Sequence, residues 1–257
     1  MDTATLIGLV GGLGAVIGGA VLEGLHIEAL IQPTAAIIVL GGTFGAAFVS
    51  FPMDTAMKAV KDIKILFSPP EKLDGIIAVI IDLAIKARKN GIISLEQEGN
   101  NTKDRFLRKA IALCVDGVEP NDIRSIMEVD VSTYEEHAKL SAEFYEAAGG
   151  YAPTIGIIGA VLGLIHVMSN LADTSKLGAG IAVAFVATIY GLVTANILCL
   201  PFATKIKLRI KAEVQRQEMI ITGITSILAG TNPRFIEERL KSYLHDGGES
   251  INSRASE

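Results

Sequence analysis

The sequence predicts an all-α membrane protein: four transmembrane helices, a helical cytoplasmic domain between helices 2 and 3, and a helical C-terminal tail. Three observations carry this reading. Residues 3–22, 33–51, 152–171 and 177–204 are apolar stretches that meet the length of about 20 residues needed to cross a bilayer. None of the four contains an Asp, Glu, Lys or Arg, while the intervening segments are dense in all of them. Those polar segments repeat their apolar residues at three- and four-residue spacing, the period of a helix packed on one face. Half of the 257 residues are hydrophobic and mean hydropathy is +0.44. Soluble domains reach a similar apolar fraction, so the segregation of charge decides the class.

The first apolar stretch has no Lys or Arg before it and no small-x-small cleavage pattern after it. It is expected to be a retained helix and not a secretion signal. The second follows after a short connection. An amphipathic run then extends from Met53 to Phe67 and is broken by Pro69-Pro70. Leu73, Ile76, Ile77, Ile80, Ile81 and Ala84 line one face of a helix stopped by Asn90-Gly91. Phe106, Leu107, Ala110, Ile111 and Leu113 form another face, ended by Asp116-Gly117. Pro120-Asn121 is expected to open a short helix. Ser132-Thr133-Tyr134-Glu135 reads as a capping box that starts a separate one leading into the third span. The fourth span has 28 residues, roughly 42 Å at 1.5 Å per residue. A hydrocarbon core of about 30 Å cannot hold that length upright, so it must tilt, kink or project. The helical pattern continues to about Ala229, Pro233 interrupts it, and a last helix covers 234–244. Residues 245–257 are polar and are expected to be disordered.

Charge sets the orientation. Residues 52–151 hold 13 Lys and Arg and residues 205–257 hold nine, whereas connections 23–32 and 172–176 hold one, Lys176. The positive-inside tendency places the basic segments and both termini in the cytoplasm. The chain then divides into membrane helices 1 and 2 (1–51), a cytoplasmic helical domain (52–151), membrane helices 3 and 4 (152–204) and a helical tail (205–257).

Gly8 and Gly12, Gly14 and Gly18, Gly41 and Gly45, and Gly159 and Gly163 are four apart. Such pairs permit close backbone approach, within one subunit or between subunits. A protein that moves cations through lipid usually carries a membrane-buried carboxylate, and no span here contains one. His166 is the lone ionisable side chain in a span. Thr154, Thr188, Tyr190, Thr194 and Asn196 offer hydroxyl and amide groups, and Pro153 and Pro201 each remove a backbone donor. Any titrating group on an ion path must therefore come from another chain. Cys114 and Cys199 lack metal-ligand spacing and read as buried thiols. A net charge of −5 gives no reason to propose nucleic acid. There is no His-x-x-x-His pair, no Gly-x-Ser-x-Gly and no Gly-x-x-x-x-Gly-Lys run, so neither an enzyme nor a cofactor or metal is expected.

The run Ala184-Phe185-Val186-Ala187-Thr188-Ile189-Tyr190-Gly191-Leu192-Val193, followed by Pro201, resembles the signature of the MotA/PomA family, the A subunits of bacterial flagellar stators. Ala152-Pro153-Thr154-Ile155-Gly156 through Ile165 resembles the start of that family's third membrane helix, and Lys86 through Glu96 its charged cytoplasmic segment. The resemblance covers nearly the whole chain. It implies a bacterial inner-membrane protein in which A subunits form a ring of five around two B-subunit helices of the MotB/PomB type. Each B helix supplies the ion-binding Asp, and ion flow drives rotation of the A ring, which engages the rotor protein FliG. It further implies that Pro153, Ala160, Thr188 and Pro201 lie on the ion path and that Arg88 and Glu96 contact the rotor. Sodium-driven members carry Thr where Ala160 stands; a methyl group ligates no sodium, so the resemblance implies proton coupling. The rival reading, an energiser of the ExbB/TolQ type that works on the outer membrane, usually has three spans instead of four.

Overall fold

The computed structural model describes residues 2–68, 73–169 and 174–245. The expected break at Pro69-Pro70 and the polar end from residue 246 lie outside the described residues. Among these the secondary structure is wholly helical, and four helices are long and apolar enough to cross a membrane. Apart from the single turns Ile27–Leu30 and Ile92–Leu95, the helices are α1 (Thr3–Leu22); α2 (Pro33–Ala36, a π-helical stretch Ile37–Gly41, and Gly42–Ser50); α3 (Met53–Leu66); α4 (Leu73–Asn90); α5 (Glu96–Asn101); α6 (Arg105–Val115); α7 (Pro120–Ser169); α8 (Thr174–Val193, a π-helical stretch Thr194–Cys199, and Leu200–Leu228); and α9 (Pro233–His245). They pack as two compact units: Met1–Pro69 with Ala138–Leu208, and Pro70–His137 with Arg209–Glu257. We call these the membrane unit and the polar unit.

Two expectations are corrected by α7. No short helix opens at Pro120, and no new helix starts at Ser132: residues 120–169 form one helix of 50 residues. The Ser132 hydroxyl donates to the Val129 carbonyl inside the helix, 3.0 Å away, instead of accepting at an N-terminus. A capping box is a local preference worth about 1 kcal/mol. Here the buried row Met127, Val131, Ala138, Ala142 and Tyr145 keeps helical spacing straight through it, and continuous burial outweighs the cap. α8 carries the fourth span on as helix to Leu228, as the pattern predicts, with the π-helical stretch Thr194–Cys199 within it. The expected interruption before the last helix is present: α8 ends at Leu228 and Pro233 opens α9 at its first turn, where its missing N–H costs nothing.

In the membrane unit, α1 buries no residue and is held at its start. Asp2 caps the helix through the Ala4 amide at 3.2 Å and pairs with Lys205, which also binds the Thr5 hydroxyl. That ammonium holds the Asp2 carboxyl below its ordinary range. Phe144 is fully buried and meets Phe48, Phe51 and Tyr145 edge to face at 6.0, 5.7 and 5.6 Å. The Tyr145 hydroxyl donates to the Ala59 carbonyl (3.0 Å) and Ser141 donates to Asp62 (2.7 Å), so α3 lies fixed against α7.

The polar unit has a conventional core of Ile76, Ile80, Leu83, Leu95, Ile111, Ile123, Met127, Ile220, Ile224 and Ile236 from five helices and the short turn before α5. Gly91 (φ 81°) and Gly117 (φ 78°) end α4 and α6 in the left-handed conformation that glycine adopts without strain. Asp104 caps α6, accepting from the amides of Phe106 at 2.9 Å and Leu107 at 3.2 Å.

Candidate functional site

Small residues bring the third and fourth spans into backbone contact. A Cβ built on Gly191 would stand 2.6 Å from the Ala152 carbonyl oxygen and 3.2 Å from the Gly156 Cα. One built on Gly156 would meet the Ala187 carbonyl at 2.9 Å and the Thr188 Cα at 3.4 Å. Gly159 faces the Ala187 methyl at 2.8 Å, and Gly163 faces the Ala184 amide at 2.9 Å. At each of the four glycines the nearest of these distances is below 3.0 Å, closer than a real Cβ tolerates, so the seam depends on glycine standing there. The glycine spacing read from the sequence thus has two outcomes. Gly159 and Gly163 pack inside the subunit, whereas Gly8, Gly14, Gly18, Gly41 and Gly45 have nothing within 4 Å of a built Cβ.

This seam places three of the four expected ion-path residues. Pro153 and Ala160 lie three before and four after Gly156, positions that share one side of a helix. Both are half-buried. Thr188, also half-buried, stands level with Gly156 across the seam, and its hydroxyl donates back to the Ala184 carbonyl at 3.4 Å. A helix-internal proline removes one donor and displaces the carbonyl four residues before it, here Gly149 for Pro153. The flank therefore presents a hydroxyl, a loosened carbonyl and a methyl group, and no side chain that gains or loses a proton.

Pro201 is not part of that cluster. It lies 13 residues beyond Thr188, about 20 Å along the helix. Directly before it the helix widens: the Leu200 amide bonds the Ala195 carbonyl, five residues back. The widening relieves the clash between the proline ring and the preceding turn. Pro201 lines a cleft of about 430 Å³ with Thr5, Gly8, Asn196 and Lys205. The Asp2–Lys205 pair at this cleft was not legible in sequence, because its members are 203 residues apart.

The other polar groups of the spans are engaged locally. The Tyr190 hydroxyl donates to the Leu30 carbonyl at 2.6 Å and accepts from the Gln32 amide at 3.3 Å, pinning the connection before α2. The Asn196 amide donates to the Leu192 carbonyl at 3.0 Å, and Thr154 donates to the Tyr151 carbonyl at 2.8 Å. His166 is exposed and lines a cleft of about 330 Å³ with Thr34, Ile38, Leu162, Gly163, Gly180 and Val183.

In the polar unit, Arg88 and Glu96 are both exposed and make no ion pair with the described residues. Between them the chain turns at Gly91 through the 3-10 turn Ile92–Leu95. Lys86 bridges Asp82 (2.7 Å) and Glu98 (2.8 Å), which ties α5 to α4 and raises the Lys86 pKa through Asp82 first and Glu98 second. The two exposed charges thus stand at either end of a stapled corner.

Residues 6–91 match the family described as "Motility protein A N-terminal", and residues 98–219 match the "MotA/TolQ/ExbB proton channel family". The chain is 37% identical over 246 residues to motility protein A of Bacillus subtilis (strain 168), covering 95% of this chain and 91% of that one. Among solved structures it is similar to C. jejuni MotAB, with a TM-score of 0.91 and 32% identity over 98% of this chain and all of that one. It is also similar to the flagellar MotAB stator complex from Bacillus subtilis, with a TM-score of 0.86 and 36% identity over 93% and 95%.

Proposed function

The chain belongs to the MotA/TolQ/ExbB proton channel family, in its motility protein A branch, and on that premise we propose that it is the A subunit of a flagellar stator. With a MotB-type partner it couples ion flow across the membrane to torque on the flagellar rotor. The observation that carries this is the pairing of a tightly packed, proline-marked seam with spans that contain no Asp or Glu. The seam presents hydroxyl and carbonyl oxygens, and the acid that binds the ion sits on the partner's helix. Pro153, Ala160 and Thr188 face that acid, and Pro201 shapes the inner end of the fourth span. Ala160 contributes a methyl group where a sodium site needs an oxygen, which favours the proton as coupling ion. One charge crossing 100 mV releases about 2.3 kcal/mol, several RT per step.

The remaining parts of the reading are these. Five copies surround two B helices in the inner membrane, with the polar unit and both termini in the cytoplasm. Arg88 and Glu96 engage FliG by charge. Each exposed contact is worth under about 1 kcal/mol, so torque passes through many weak contacts in turn. An energiser of the ExbB/TolQ type is disfavoured by four membrane-length helices and by near-complete coverage of a motility protein A.

The test is complementation in the source bacterium deleted for this gene. Wild-type protein restores swimming, and Arg88→Glu or Glu96→Lys inserts and assembles with B but swims poorly. Failure of the wild type to restore rotation contradicts the stator reading; loss of assembly in the two variants makes those residues structural. Collapse of swimming on sodium removal at constant proton-motive force contradicts the proton assignment.

A further inference from the structure

Short helix α5 carries Glu96 at its first position and is followed after three residues by α6. Its start is tied to α4 by the Lys86–Glu98 pair, whose side chains are 38% and 37% exposed. Its end is tied differently. Asp104 uses one carboxylate oxygen to cap α6 and the other to bind Arg216 Nη1. Arg216 also donates two parallel bonds to Glu213, Nε to Oε2 at 2.8 Å and Nη2 to Oε1 at 2.7 Å, and Gln217 donates to the same Oε1 at 2.8 Å. The Arg216 side chain is only 14% exposed and that of Asp104 20%, so solvent and salt screen this cluster far less than the Lys86 pair. The guanidinium fork fixes direction as well as distance, which a lysine ammonium cannot do.

Arg216 stands on α8, helical without a break from Thr174 to Leu228, the same run that carries Thr188 and Pro201. The corner that presents Glu96 is thus fastened through Asp104 to the helix that lines the ion path.

We propose that Arg216 is a positioning residue for torque transmission, holding the 96–107 corner to the cytoplasmic extension of the fourth span through Asp104 and Glu213. This rests on the stator reading. Asp104 is both cap and anchor, and Asp104→Asn separates the two roles: asparagine caps a helix as well as aspartate but does not hold the Arg216 charge. Arg216→Lys keeps the charge and loses the fork.

The experiment compares the purified A–B complex and the living motor for wild type, Asp104→Asn and Arg216→Lys. In both variants amide hydrogen exchange across residues 96–107 accelerates about tenfold, the effect of losing one charge-assisted hydrogen bond. Torque per stator unit at high load falls, while stator incorporation and ion leak through the complex stay at wild-type levels. A merely structural role lowers incorporation and leak together with torque. That outcome, unchanged exchange, or faster exchange with normal torque per unit each overturns the proposal. Failure of the stator reading is seen separately, as a wild-type chain that restores no rotation.

Discussion

Of the twelve largest fully buried side chains among the described residues, ten lie in the polar unit and only Phe144 and Leu66 lie in the membrane unit. The polar unit interlocks Ile, Leu and Met from α4, α6, α7, α8 and α9. The membrane unit closes on Gly156, Gly159, Gly163 and Gly191 against Ala152, Ala184 and Ala187, with Ala35 and Val39 beside Val186. The difference follows from the solvent. Water drives apolar area together in proportion to its size. Lipid gives no such drive, because a leucine is as well solvated by acyl chains as by another helix, and contact then depends on how closely backbones approach. Large apolar side chains accordingly point outward from the spans: Ile157, Ile158, Leu164, Ile165 and Phe185 are all more than half exposed or at half. These faces and the open glycines of α1 are what the chain offers to lipid and to other chains.

The sharpest way to break this comparison is at the seam. Gly191→Leu forces α7 and α8 apart, and it is predicted to abolish swimming and co-purification with the B subunit, whereas Gly18→Ala, with nothing within 4 Å, leaves the fold of the subunit unchanged. Next comes the polar core: Ile224→Ala, fully buried, is predicted to destabilise the polar unit by about 2–5 kcal/mol, read as faster hydrogen exchange across α4 and α8. Equal costs for isosteric changes in both units would erase the distinction.

A third prediction concerns pH. Burial raises the Cys114 thiol from 9.0 to about 11. The folded state keeps this proton while the unfolded state releases it. The contribution of Cys114 to stability is therefore intact below about 9 and is lost as pH rises from there to about 11. Maleimide labelling of a Cys199→Ser variant is predicted to stay slow at pH 8.5 in the folded protein and to become fast on unfolding. The smallest effect is at the corner staple. Lys86→Met is predicted to lower the thermal unfolding midpoint only slightly, because its ion pairs are more than a third exposed.

The spans were legible in the sequence because length and absence of charge are decided residue by residue, and α1 begins and ends where the apolar run does. The helix stops at Gly91 and Gly117 were legible for a similar reason: a positive φ is demanded locally. The length of α7 was not, because Ser132 and Glu135 signal a start at short range while the burial that overrides it comes from other helices. The glycine pairs could not be divided between internal and open positions, since spacing alone does not say which face meets a neighbour. The Asp2–Lys205 pair and the Asp104–Arg216 pair escaped for the same cause. Each depends on where distant parts of the chain meet. Of the candidate site, Pro153, Ala160 and Thr188 were read from motif and lie along one seam; Pro201, expected near the cytoplasmic end of the fourth span, stands 13 residues beyond Thr188 and apart from them.

The central claim is that this chain builds the walls of an ion path and lacks the acid that loads it. It is tested most directly by cation flux into proteoliposomes under an imposed membrane potential. The chain reconstituted alone is predicted to give no flux above empty vesicles, and co-reconstitution with a single-span partner whose helix carries an Asp is predicted to give proton flux that an Asp→Asn change in the partner removes. Selective cation flux through the chain alone would contradict the account.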